Sequence, residues 1–489
     1  MDPKENESSR VLREEVTANR LERQRQHVAV ASELHPTTAA AASGRAPMPA
    51  PPPTRQATGL LKQRLRTVLH KLGLELHGRR ERYCETTVSL RTERRPARGR
   101  VLMAYIQQPF LPARQRTVDF ASHTHFGESV LMAQAYLDLG FDVDVIDFRN
   151  QHFVPRKRYD VFISARTHLE RLAPRLNPDC IRVAHLDTAH FAFNNHAAYA
   201  RVLALQRRRG VTCMSVRIVE TNWAIEHADY GALLGGEFLA QTYAYADKPL
   251  FRLPIPTVRT YPFPEHKDYE RCRRRFLWFG SRGLVHKGLD LVLEAFAAMP
   301  QYELIVCGPI AQDAAFRSIY GRELYDCPNI RTLDWIDVTG PRFPELVREC
   351  AAVVFPSCSE SQSASTLTCM QAGLPPVVTR ETGIDTGSFG WLLKEATVEE
   401  IQRAVETVAS LPAEELESRS RSAWEYARTT HTARHYAEAY SAMLRCILGE
   451  GDGAIEPGIT IPTITPRPAA PPRASDATDR VSEGPSGLH

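Results

Sequence analysis

Short apolar runs rich in strand formers alternate with longer helical patterns along most of this 489-residue chain, and they do so in two separate series. Such alternation leaves few folds open, because parallel strands buried on both faces need a crossover, usually a helix, to reach one another. The first series opens with VLMAYIQ at residues 101–107. It continues with the helical pattern ESVLMAQAYLDLG, which ends at Gly140 as a natural C-cap, and with the alternating strand FDVDVIDF. YDVFISAR, IRVAHLDT and YGALLGG add strand-like segments, and GEFLAQTYAYA adds a helix. After a Pro- and charge-rich connection at 257–275, the second series opens with FLWFG. It runs through helix LDLVLEAFAAM, strands YELIVCG and NIRTLDWI, helix PELVRECA, strand AAVVFPS, helix STLTCMQAG and strand PPVVT. Two doubly wound α/β domains are therefore expected, over 99–260 and 270–420, with strand C-termini facing a shared crevice where such folds bind ligands.

The flanks read differently. The first 100 residues hold 20 Lys+Arg against 11 Asp+Glu, and they include the Ala/Pro-rich stretch TTAAAASGRAPMPAPPPT. Residues 1–98 are thus expected to be a mostly disordered basic arm. Within it Leu60, Leu61, Leu65, Val68, Leu69 and Leu72 recur at helical spacing, with Lys62, Arg64, Arg66 and Lys71 between them. Such a helix could dock on the folded part or lie on an anionic membrane surface, which leaves peripheral contact with the inner face of a membrane open. The tail at 451–489, rich in Pro, Ser and Thr, is expected to be disordered.

The ten cysteines are scattered without a CxxC pair, which fits a reducing compartment. MDPKENESSR is charged and leads into no apolar core, and no run of about 18 apolar residues follows anywhere. A cytoplasmic protein is expected, without a nucleic-acid partner.

Two strings in the second series carry chemistry. FGSRGLVHKG at 279–288, followed by LDLVLEAF, and FPSCSE at 355–360, followed by a helix ending in QAGLP at 371–375, resemble the retaining GT-B glycosyltransferases of group 1. That resemblance implies two Rossmann-like domains facing a central cleft, with disordered tails at both ends. The second domain would bind a nucleoside diphosphate sugar, and helices at 421–448 would cross back to the first. It implies that Arg282 and Lys287 bear the charge developing on the leaving diphosphate, in a loop that includes Gly280, Ser281 and Gly283. It places Glu360 on the sugar hydroxyls, with Ser361 and Ser363 allowing close backbone approach to the donor.

Where that class has a second glutamate eight residues on to hold the ribose, this chain has Thr368. A hydroxyl can make one hydrogen bond there but cannot accept two ribose hydroxyls as a carboxylate does. Backbone groups around Trp335 and Ile336 are candidates for contact with the base, although the Trp335 side chain itself reads as core packing.

In the first domain the likeness is looser. The stretch Ser122-His123-Thr124-His125-Phe126-Gly127-Glu128 reads as a loop opening the first long helix, where Gly127 and His125 would approach the donor. His185, Asp187 and His190 follow the fourth strand-like segment. His190 is taken as the histidine facing the donor sugar, and His185, inside the apolar run, as an interior residue.

The leading expectation is transfer of a sugar from a nucleoside diphosphate sugar to a hydroxyl acceptor, lipid- or glycan-linked, with retention of configuration. No metal or cofactor beyond the co-substrate is called for, since fixed cations and a helix terminus carry the electrostatics. Two other readings fit the scaffold: a catalytically silent protein that binds a nucleotide or glycan, with Thr368 marking the loss, and a sugar-nucleotide epimerase.

Overall fold

The computed structural model describes residues 85–112, 124–166 and 168–450. The arm up to residue 84 with its helical spacing, the positions Ser122 and His123, and the tail at 451–489 lie outside the described residues.

Two sheets organise the chain. In the first half the strands are β1 (Thr87–Leu90), β2 (Gly99–Tyr105), β3 (Phe141–Asp147), β4 (Val161–Ala165), β5 (Ile181–Leu186), β6 (Tyr230–Leu234) and β7 (Leu250–Leu253). Between them run helices α1 (Thr124–Asp138), α2 (His168–Leu172), α3 (Phe191–Arg209) and α4 (Glu237–Tyr243). The second half holds α5 (Tyr269–Cys272), β8 (Arg275–Phe279), α6 (Leu289–Ala297), β9 (Glu303–Cys307), α7 (Ala314–Tyr325), β10 (Ile330–Leu333), α8 (Arg342–Arg348) and β11 (Ala352–Phe355). It ends with α9 (Ala364–Gln371), β12 (Pro376–Thr379), β13 (Trp391–Leu393), α10 (Val398–Ser410), α11 (Ala413–Thr430) and α12 (Ala433–Ile447). The sheet orders are β1-β3-β2-β4-β5-β6-β7 and β10-β9-β8-β11-β12-β13. Every pairing is parallel except that of β1 with β3.

The sequence reading assigned residues up to 98 to the arm, yet β1 is a strand of the first sheet. Its partner explains it: β3 carries alternating acids that become buried, and the chain beside β1 supplies their partners. Ser89 Oγ donates to Asp144 at 2.6 Å, and Arg91 and the Thr92 N–H hold Asp142 at 2.6 and 3.1 Å. Charged residues on an exposed edge blunt unwanted pairing; here the acids instead recruit one more strand.

The return to the first domain also comes later than the expected boundary at 421. Leu416, Ala423 and Ala427 of α11 share the core of the second sheet. The chain crosses at His431, and α12 then lays Tyr436, Ala439, Tyr440, Met443, Leu444 and Ile447 into the core of the first sheet beside Met132 and Tyr136 of α1. Those positions recur at the i, i+3, i+4, i+7 spacing of one helical face.

A second bridge runs the other way. Phe193 near the start of α3 packs on Phe238 of α4, while Val202 and Leu205 enter the core of the second sheet. Arg208 meets Asp290 at 2.5 Å and Glu294 at 2.9 Å, Arg209 meets Glu294 at 3.1 Å and Glu323 at 2.7 Å, and Arg201 donates to the Pro356 carbonyl at 3.0 Å. Asp290 is completely buried, so its carboxylate depends on these guanidinium groups. Among the described residues no helix is long and apolar enough to cross a membrane.

Met443→Ala, which empties a fully buried site on α12, is expected to destabilise the first domain by about 2–5 kcal/mol. Urea unfolding would show it as an earlier transition.

Candidate functional site

The loop after β8 and the loop after β11 approach each other at the C-terminal ends of adjacent parallel strands. Gly280 extends the β8 ladder, its N–H donating to the Cys307 carbonyl at 3.0 Å. The chain then curls from Ser281 to Gly288. There the Lys287 N–H returns to the Gly283 carbonyl at 2.9 Å, and the buried Trp278 indole donates to the Lys287 carbonyl at 3.2 Å. Gly288 must be glycine: its φ is +73°, and a Cβ would stand 2.5 Å from the Pro356 carbonyl oxygen.

This curl turns Lys287 inward, over the Phe355 ring at 5.2 Å and into an ion pair with Glu360. Ser357 Oγ also donates to Glu360, at 3.2 Å, and Arg217, from the segment between α3 and β6, reaches the same carboxylate oxygen at 3.4 Å. Burial alone would push the Glu360 carboxyl up, but the Lys287 ammonium, then Arg217, hold it down at about 2. It is a carboxylate at any physiological pH.

Beside this pair opens a cleft of about 740 Å³, lined by Arg217, Ser281, Arg282, Gly283, Gln312 and Asp313 among others. Arg282 is exposed and donates to Gln312 at 3.1 Å. Asp313 is occupied elsewhere, accepting from the Phe316 N–H as the N-cap of α7 and from Ser215.

Other expected contacts fall differently. The Thr368 hydroxyl donates to the Ala364 carbonyl at 2.8 Å, so its proton is spent inside α9. Ser363 caps α9 by accepting from the Thr366 N–H, and Ser361 is buried just before it. Trp335 is not core packing, contrary to expectation. It is 63% exposed, because β10 is the edge strand and ends at Leu333, whereas Ile336 packs partly against the core under that edge.

In the first domain, α1 already begins at Thr124, so His125 and Gly127 lie in its first turn and not in a loop as expected. A Cβ on Gly127 would meet nothing within 4 Å. His125 Nδ1 lies 2.7 Å from Glu128 Oε2, to which the Tyr105 hydroxyl also donates at 3.1 Å. Burial would lower the His125 pKa, but Glu128 outweighs it and the pKa is raised.

His185 is buried against the Tyr105 ring at 4.6 Å, as the interior reading expects, and burial lowers its pKa. Asp187 pairs with Arg166 at 2.9 Å. His190 is the N-cap of α3. Its Nδ1 accepts from the Ala192 N–H at 3.4 Å and the Tyr245 hydroxyl stands 3.0 Å from its Nε2, so both ring nitrogens are engaged within the first domain.

Sequence reasoning passed over Arg217 entirely. Its partner Glu360 is 143 residues away, and VTCMSVRIVE around it carries no pattern that would have singled it out.

Residues 273–410 match the family model described as glycosyl transferases, group 1. That stretch is similar to the group 1 glycosyltransferase domain over its length. The paired loops that hold Lys287, Arg282 and Glu360 all lie inside it. Among solved structures, sucrose-phosphate synthase from Thermosynechococcus elongatus is similar at 12% identity and a TM-score of 0.50, over 72% of this chain and 100% of that one. The N-terminal domain of Candida albicans trehalose-6-phosphate phosphatase is similar at 10% identity and a TM-score of 0.50, over 74% and 99%. At these identities the likeness is one of fold, and the fold is the two-domain GT-B arrangement. Comparison with curated proteins gives no match.

Two outcomes are expected in solution. Lys287→Met leaves the largely buried Glu360 without its main partner and should cost about 3–5 kcal/mol of stability, much of it recovered in Lys287→Met/Glu360→Leu; urea midpoints of the two variants measure this. In an NMR titration His125 should show a pKa above 6.5 that falls below 6.5 in Glu128→Gln, where burial remains and the carboxylate is gone. Its pairing energy is then complete below pH 6.5 and fades as pH rises through the folded-state value.

Proposed function

We propose that the protein transfers a sugar from a nucleoside diphosphate sugar to a hydroxyl acceptor with retention of configuration. One observation carries this reading: a cation and a carboxylate 73 residues apart in the chain meet at the strand ends of the glycosyltransferase domain, beside a cleft that also holds Arg282. The donor's diphosphate would lie along the 281–288 loop, where Arg282 and Lys287 stabilise the charge that builds on the departing β-phosphate. Glu360, ionised and fixed by Ser357, would accept hydrogen bonds from the sugar hydroxyls. The acceptor oxygen bonds to the anomeric carbon as the bond from that carbon to the β-phosphate oxygen breaks. The hydroxyl proton leaves with the diphosphate. Retention rests on the likeness of these two loops to a retaining class. No step calls on a metal.

The back-bonded hydroxyl of Thr368 favours a second reading, a protein of this fold that binds a donor or glycan without turnover, since no carboxylate stands where the ribose would be gripped. Nucleoside diphosphate release assayed with a donor panel separates the two. Under the transfer reading a donor turns over, and Glu360→Gln and Arg282→Ala each lower kcat by roughly 10²-fold. Undiminished turnover in both variants would sink it, and calorimetric binding with no release from any donor would favour the silent scaffold.

A further inference from the structure

Arg217 has no part in the roles considered so far, although it is the cation that joins the cleft to Glu360. It belongs to the segment between α3 and β6, outside the matched glycosyltransferase domain. Three observations fix its place. Its side chain lies along the cation loop, so that a Cβ on Gly283, whose φ is +88°, would stand 3.0 Å from Arg217 Cδ. Its guanidinium reaches Glu360 at 3.4 Å while remaining 45% exposed on the cleft side. Its backbone is tied to α3 at and just after Arg217: Asn194 Nδ2 donates to the Arg217 carbonyl at 3.5 Å, and Asn195 exchanges two hydrogen bonds with Val219 at 2.9 and 2.8 Å.

We propose that Arg217 is a third cation for the donor's diphosphate, delivered by the first half of the chain, and that it exchanges Glu360 for phosphate when the donor binds. The inference rests on the nucleoside diphosphate sugar reading above. Three cations, Arg217, Arg282 and Lys287, here face two carboxylates, Glu360 and Asp313, and Asp313 is already committed to capping α7. Arg217 and Lys287 both direct their charge to one oxygen of Glu360. A guanidinium binds a phosphate through two parallel N–H donors, which is stronger than its single 3.4 Å contact here, so an arriving diphosphate draws Arg217 off the glutamate. Glu360 then keeps Lys287 and Ser357 on one oxygen, while its other oxygen, which neither they nor Arg217 contact, takes the sugar hydroxyls. Arg217 can make this exchange only when α3 is seated on the second domain.

The test uses the full chain and calorimetry with UDP, GDP and ADP against UMP, GMP and AMP, followed by kcat and KM with whichever donor turns over. Arg217→Ala and Arg217→Gln are each expected to weaken the preferred diphosphate about tenfold or more, to leave the matching monophosphate within about twofold, and to lower kcat. Arg217→Lys should recover part of the loss. Arg208→Ala, which loosens α3 from a position away from the cleft, is the control for docking. It should reproduce part of the diphosphate-selective loss, since a loosened α3 no longer delivers Arg217, and wild-type diphosphate affinity in Arg208→Ala overturns delivery by α3. Equal weakening of di- and monophosphate, or unchanged diphosphate affinity in the Arg217 variants, overturns the proposal while leaving the donor reading intact. Wild-type protein that binds none of the three diphosphates overturns both.

Discussion

The seating of α3 on the second domain is the contact on which the geometry of the site depends. Asp290 sits wholly inside the protein at the start of α6, where burial raises its pKa and Arg201 and Arg208 oppose that rise. Because α3 begins against α4 and ends in the second core, the same contact sets where the following segment runs. Arg217 is the product of that routing. The cleft is therefore lined from both halves of the chain, and its electrostatics belong to neither half alone.

Glu360 illustrates how far local sequence can be read and where it stops. The two loops that carry Lys287 and Glu360 stood out through their likeness to group 1 sequences, and Gly288 lets the first of them turn Lys287 inward to meet Glu360. The two sheets were equally legible, since strands buried on both faces betray themselves by composition. The misread pieces share a cause. β1 needs the acids of β3, more than fifty residues on, before it has any reason to be a strand. Trp335 looks like core until one knows that β10 lies at an edge. The end of the second domain was set too early because α11 and α12 differ in which core their apolar faces meet, and a helical face does not name its partner.

Arg217 and His190 are complementary lessons. A histidine after a strand end invites a catalytic reading, yet here the helix that starts beside it and the hydroxyl of Tyr245 claim both nitrogens. An arginine in an irregular stretch invites none, yet tertiary routing brings it to Glu360 at the edge of the cleft. Long-range pairing decides both, and pairing across 143 residues leaves no trace in spacing.

The helix that starts beside the Glu360 loop ends at the place where the chain passes twice between the domains. Gln371, its last residue, donates to the carbonyls of Ala427 and His431 and to the hydroxyl of Thr257, while Thr257 and His431 are themselves bonded at 3.1 and 2.8 Å. Eight residues of helix make a rod about 12 Å long. Such a rod transmits displacement with little loss, so a push at its Glu360 end would arrive where the chain crosses between the two sheets.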